Sequence, residues 1–175
     1  MDFVVFPAGP GDAEDLARVH VTSWQETYRG LLPDAYLNAM SIASHARRWR
    51  AGLMGARASD VVLAAADRSG ILGYASGQPS RSGVPREGEV ATLYVLRSAQ
   101  GRGLGQALMT GCARALAAQG ATSLVISVLR DNLRARGFYE HLGGQADAPR
   151  PEPGPGGVLY EVAYRWADIG ALTGR

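Results

Sequence analysis

The chain has 175 residues, 46% of them hydrophobic and 19% charged, with a formal net charge of +2. That is enough for one domain with a sizeable core and too little for two ordinary ones, and so small a charge gives no reason to expect nucleic-acid or membrane partners. All 18 basic residues are arginine, which excludes Schiff-base lysine chemistry and a Walker phosphate loop.

The single cysteine, Cys112, rules out an internal disulfide or a multi-cysteine zinc site. His20, His45 and His141 lack metal-ligand spacing, so no metal is expected. The N-terminus carries no positive n-region, and no segment approaches the ~20 apolar residues of a membrane span. A cytoplasmic protein is the expectation.

In chain order, "FVVFPA" (3–8) reads as a strand broken by Pro7. Asp12 then offers an N-cap, with Glu14 and Asp15 in a first turn where the helix dipole favours acids. The stretch 31–53 reads as a second helical region entered through a turn at Pro33–Asp34, with Arg47, Arg48 and Arg50 on a solvated face. "DVVLAAAD" (60–67) and "ILGYASGQP" (71–79) read as strands joined by "RSG", a spacing of hairpin length. The polar stretch "SRSGVPREGE" leads into "GEVATLYVL" (88–96), apolar on both alternating faces from Val90, as a central strand should be.

Between Gly103 and Gln119, residues Leu104, Leu108, Cys112, Ala115 and Leu116 fall on one helical stripe. "SLVISVL" (123–129) is a further buried strand, and "NLRARGFYEHLGG" (132–144) a short helix with a glycine stop. "ADAPRPEPGPGG" (146–157) reads as a Pro/Gly-rich surface loop with no reason to be ordered, and "VLYEVAYRW" (158–166) as an alternating closing strand. This order predicts an α/β (α+β) fold with one mixed sheet and helices on both faces. It spans 1–175 as a single domain, without repeats or a dividing linker.

The sharpest feature is "LYVLRSAQGRGLGQAL" (93–108), with glycines at 101, 103 and 105 between a strand and a helix. The dinucleotide pattern G-x-G-x-x-G fails, because its last position is Gln106 counted from Gly101 and Leu108 counted from Gly103. What remains is a helix start whose first N–H groups lack intrahelical partners and where the dipole adds partial positive charge. Arg102 can add its own charge, and several donors converging on a small volume suit a pyrophosphate better than a single phosphate. A tight turn packed against the sheet accounts for the same glycines without a ligand.

Here the sequence resembles the GNAT superfamily of acetyl-CoA-dependent N-acetyltransferases. Gln100, Gly103 and Gly105 match its Q/R-x-x-G-x-G/A signature after a strand. Downstream, Asn132, Ala135, Phe138, Tyr139, Glu140 and Gly143 match the family's N-x-x-A-x-x-F-Y-E-x-x-G. The resemblance covers roughly residues 88–144. It implies a central, mostly antiparallel sheet splayed between the fourth and fifth strands, with acetyl-CoA as co-substrate.

The resemblance further implies that Leu93, Tyr94 and Val95 pair with the pantetheine arm like an added strand, the Leu93 N–H polarising the thioester carbonyl. The pyrophosphate would fall on Gly101, Arg102, Gly103, Leu104, Gly105 and Gln106, with Gln100 in the same motif. Tyr139 takes the place of the family's general acid, and Asn132 that of a residue bonding the cofactor arm, although it could equally cap its helix. Glu89 occupies the place of a general-base carboxylate; a solvent-facing strand-end Glu is the plainer reading. Trp24 and Tyr28 share a helix face where the family builds its acceptor groove, and core packing accounts for them as well.

Two departures stand out. Gly137 interrupts the Tyr139 helix at a cost of ~1 kcal/mol against Ala, and Gly144 replaces an apolar or aromatic residue, which would loosen the strand that follows. Acceptors within reach of the scaffold are small-molecule amines and protein or peptide N-termini, and dimers are common in the family. The competing reading is an acyl-CoA-binding regulatory or interaction module without turnover.

Overall fold

The computed structural model describes residues 2–174. Eight strands form one sheet: β1 (Val4–Pro7), β2 (Val61–Asp67), β3 (Gly70–Pro79), β4 (Glu87–Val95), β5 (Ser123–Leu129), β6 (Gln145–Ala146), β7 (Arg150–Gly154) and β8 (Gly157–Trp166). Their order is β1-β2-β3-β4-β5-β8-β6, with β7 also paired to β8. Only β4 and β5 run parallel; every other pairing is antiparallel.

The helices are α1 (Ala13–Tyr28), α2 (Asp34–Asn38), α3 (Ile42–Met54), α4 (Leu104–Ala118), α5 (Leu133–His141) and the short α6 (Gly170–Thr173). Strand alternation divides the sheet's side chains between two faces. Tyr74 of β3 meets Trp49 of α3 and His20 of α1 on one face. On the other, Leu108 and Leu116 of α4 lie over Gly73, Gly77 and Gly88. Tyr139 of α5 lies there too, against Tyr164 and Trp166 of β8. No helix among the described residues is long and apolar enough to cross a membrane.

Three local readings are corrected. The region expected as one helix over 31–53 breaks after Asn38, because Ser41 takes up an N-cap, its hydroxyl accepting from Ser44 N at 3.2 Å, and starts α3 afresh. Asp12 does not cap α1 with its side chain. Its carboxylate turns back to accept from Gly9 N at 2.8 Å, closing the 3-10 turn ahead of the helix.

The Pro/Gly-rich stretch 146–157 is not an unordered loop: it supplies β7, hairpinned onto β8. The prolines fit because the Tyr160 carbonyl accepts from Arg130 N on the β5 side, so position 160 makes no ladder bond toward β7. Pro151 lies opposite Tyr160 and Pro153 opposite Val158. Their missing N–H groups therefore face outward, where an edge strand tolerates proline.

Candidate active site

The parallel pairing of β4 with β5 lasts only from Glu87 to Glu89, opposite Ser123 to Val125. Beyond it β4 continues to Val95 and β5 to Leu129 without pairing, so the sheet forks. β4 stays on β3 throughout, and at the fork the register slips: Thr92 faces Ser76 while Val90 faces Gly77, leaving Ala91 as a bulge. Leu96 N donates to Leu72 O at 2.9 Å. The alternation of an antiparallel ladder then turns the main chain of Tyr94 and Thr92 to β3, and that of Leu93 and Val95 into the fork. Of the three residues expected to face a pantetheine arm, Leu93 turns both main-chain groups into the fork, Val95 has only its N–H open there, and Tyr94 has neither.

Gln100 braces the end of that strand, its Nε2 donating to the Val95 carbonyl at 2.9 Å, while its Oε1 is buried without a partner. The turn that follows carries two left-handed residues, Gly101 (φ 77°) and Gly103 (φ 87°), a conformation that costs an L-residue ~1–2 kcal/mol. No N–H from Gly101 through Gln106 donates to an acceptor among the described residues. Six consecutive main-chain donors therefore open at the start of α4.

Arg102 lies in this turn, yet its guanidinium reaches back to Asp67 at 2.9 Å. Bonds from the Ser69 hydroxyl and N–H, and then from Arg102, hold the Asp67 carboxyl down to about 2. The third glycine has a packing role: a Cβ on Gly105 would stand 3.3 Å from the Phe138 ring, so it lets α5 sit against α4. Leu104 is buried in the core.

Tyr139 is buried on α5 between Phe138, Tyr164 and Trp166. Burial, and then the Tyr28 phenol, raises its pKa well above the ordinary tyrosine range. Asn132 caps the helix, its Oδ1 accepting from Ala135 N at 3.2 Å. Gly144 does not leave a gap: a Cβ there would lie 2.8 Å from the Trp166 indole, whose Nε1 donates to Leu142 O at 2.8 Å. The indole fills the place expected of a larger residue at 144.

Tyr28 and Trp24 meet edge to face with ring centroids 4.9 Å apart. Tyr28 is buried with Leu32 and Leu37, against Leu129 at the end of β5 and Leu159 of β8. Burial raises its pKa, and hydrogen bonding toward Tyr94 and Asn132 offsets only part of that rise. Phenols from α1, β4 and α5 thus converge at the fork: burial, then Tyr28, Tyr74 and Tyr139, hold Tyr94 well above its usual range. The Trp24 Nε1 is sealed from solvent without a partner.

Glu89 is the last β4 residue paired to β5, so it stands at the base of the fork. Its carboxylate takes Arg81 at 3.2 Å and Gln78 at 3.5 Å. Glu87, its neighbour along the strand, is buried. Burial would raise its pKa, but Ser82, Ser80 and Arg165 outweigh that and hold it below the usual glutamate value. Cys112 is buried and pushed up to about 12, which leaves no thiolate to react. His20 is lowered to about 4 by burial and then by His45, and its Nδ1 lies 2.6 Å from the Tyr74 hydroxyl.

One charged group at the site has no counterpart in the sequence reading. Glu161 of β8 lies opposite Leu129 across the ladder, on the face away from Val162, Tyr164 and Trp166. The alternation of "VLYEVAYRW" carried that signal, because a glutamate between apolar residues marks the open side of its strand. No group of three or more His, Cys, Asp or Glu side chains among the described residues could hold a metal ion.

The model of the acetyltransferase (GNAT) family matches residues 20–144. An uncharacterized N-acetyltransferase of Bacillus subtilis strain 168, YuaI, is 32% identical over 162 residues, covering 92% of this chain and 91% of that protein. PaiA N-acetyltransferase from Thermoplasma acidophilum, solved with coenzyme A, superposes with a TM-score of 0.73 at 16% identity, over 95% of this chain and 100% of that one. Salmonella typhimurium yncA, solved with its cofactor acetyl-CoA, gives 0.71 at 19% identity, over 97% and 95%. The fork, the glycine turn and the Asn132–Gly143 segment all fall inside the matched residues, and the chain belongs to the acetyltransferase (GNAT) family.

Proposed function

We propose that this single domain moves an acetyl group from acetyl-CoA to a primary amine by direct attack in a ternary complex. One observation carries the reading: a fork with unpaired main chain opens beside six consecutive N–H groups that have no acceptor among the described residues. Such a cradle fits a pyrophosphate, and the exposed edge of β4 fits an extended amide-bearing arm. The coenzyme A and acetyl-CoA held by the structural relatives support the same co-substrate.

In this reading the Leu93 N–H polarises the thioester carbonyl. The amine loses a proton to Glu89, directly or through water, then attacks; the N–C bond forms and the C–S bond breaks. Tyr139 serves the departing thiolate. A phenol near ~10 is already a weaker acid than a thiol near ~8.5, and burial weakens it further. Its contribution is therefore a hydrogen bond to sulfur more than outright proton transfer. Gln100 holds the strand end and Asn132 the helix start. Arg102 steadies the turn through Asp67, leaving the main chain to meet the diphosphate.

The test is release of free thiol from acetyl-CoA in the presence of primary amines, alongside calorimetric titration with CoA. Turnover with micromolar CoA binding is expected. Tight CoA binding with no turnover on any amine would favour a binding module.

A further inference from the structure

Beyond α1 the sheet has an open face that the glycine turn and α5 do not reach. Its floor includes Leu159, Glu161, Ala163 and Arg165 of β8, the residues that alternate with those packed under α5. A cavity of about 390 Å³ lies over the last three, bordered by Ser127, Glu89 and Glu152. A second, of about 450 Å³, lies at Leu159 between the Gly30–Asp34 turn and the tip of the β7–β8 hairpin. Glu161 lines the first of them, two residues along β8 from Leu159.

The charges in this groove are not alike. Arg81 is held by Glu89 at 3.2 Å, and Arg165 is committed to Asp147 at 2.8 Å and to Glu87. Glu152, Glu161 and Arg150 have no ion pair or hydrogen bond among the described residues. Arg150 faces Glu161 across the ladder but is exposed at the rim. Glu152 lines the same cavity as the half-buried Glu161, and burial followed by the Glu152 charge raises the Glu161 pKa. Glu161 also lies beside the fork, opposite the last residue of β5.

We propose that Glu161 receives the ammonium group of the acceptor, so that the acceptor is a cationic aliphatic amine whose chain runs along Leu159 toward the turn between α1 and α2. The assignment rests on the acetyltransferase reading above. A half-buried carboxylate without a cation of its own attracts an ammonium and discriminates against an uncharged arylamine nitrogen. Glu152 strengthens that preference. Glu89 is a poorer receiver, because its oxygens already take Arg81 and Gln78. Held on Glu161 beside the fork, the ammonium gives up its proton as described, and the nitrogen is then free to attack.

The experiment compares n-butylamine and benzylamine with aniline as acceptors for the wild-type protein and for Glu161→Gln and Glu161→Asp, following thiol release at saturating acetyl-CoA. The aliphatic amines are expected to be preferred. Glu161→Gln should raise their KM by about 10- to 100-fold, the loss of a charged hydrogen bond. Glu161→Asp should recover part of that, and the acetyl-CoA KM should stay within twofold in both variants. A preference for aniline, or an unchanged amine KM in Glu161→Gln with CoA binding intact, overturns the assignment of Glu161. Failure of the wild-type protein to bind CoA is a different result, which overturns the acetyltransferase reading itself.

Discussion

The two sides of the fork offer different means of recognition. On the α4 side, donors come from consecutive main-chain groups, and the one arginine present is tied to Asp67. On the β8 side, the open groove is lined by side chains drawn from distant parts of the chain: Arg81, Glu89, Ser127, Glu152 and Glu161. Main-chain recognition needs a defined backbone path, which a short motif can encode. Side-chain recognition needs only a shared face, which strand pairing supplies and no local spacing reveals. The first side suits a ligand that never changes, and the second one that varies from protein to protein.

The largest expected effect tests the main-chain side. Gly103→Val should weaken CoA binding by more than about 100-fold, since a β-branched residue disfavours φ 87° and fills the cradle. Its thermal melting should show the protein still folded; calorimetry showing CoA bound as tightly as before would mean that the diphosphate lies elsewhere. Next, Tyr139→Phe should lower kcat by about 10²-fold with CoA affinity within twofold, and an unchanged kcat removes the tyrosine from the chemistry.

A smaller effect separates the two modes directly. Arg102→Ala should cost CoA affinity less than about tenfold, because its guanidinium already serves Asp67. A loss matching that of Gly103→Val would make this side, too, a side-chain site. The smallest effect concerns stability on the α1 side of the sheet, where His20 stacks on Trp24. With a folded pKa of about 4 against the ordinary 6.5, the unfolded chain binds more protons between those values. Stability therefore falls as pH drops from 6.5 toward 4. His20→Gln should flatten that slope in urea titrations, and an identical slope would show that His20 does not carry it.

Where the chain's own pattern dictates structure, the sequence already showed it. The apolar run from Val90, the stripe through Leu104, Leu108 and Cys112, and the glycines at 101 and 103 locate the fork's open edge and the turn. What stayed hidden depends on partners. Pro151 and Pro153 signal disorder until β8 offers positions that need no N–H from them. Ser41 divides a helical stretch only once its hydroxyl finds Ser44 N. The charge expected of Arg102 toward a ligand is drawn off by Asp67, 35 residues away in the chain. Glu161 is one position of what reads only as an alternating closing strand; the pairing with Leu129 places it at the fork.

The hairpin prolines have a consequence outside catalysis. Along β7 the outward-facing donors belong to positions 151 and 153, and both are proline. A strand from another molecule offered along this stretch would find carbonyls and no N–H groups, so a continuous ladder cannot extend across it. The prolines that alternate with the groove-lining Arg150 and Glu152 thus deny this stretch of the sheet's margin to strand-by-strand growth between molecules.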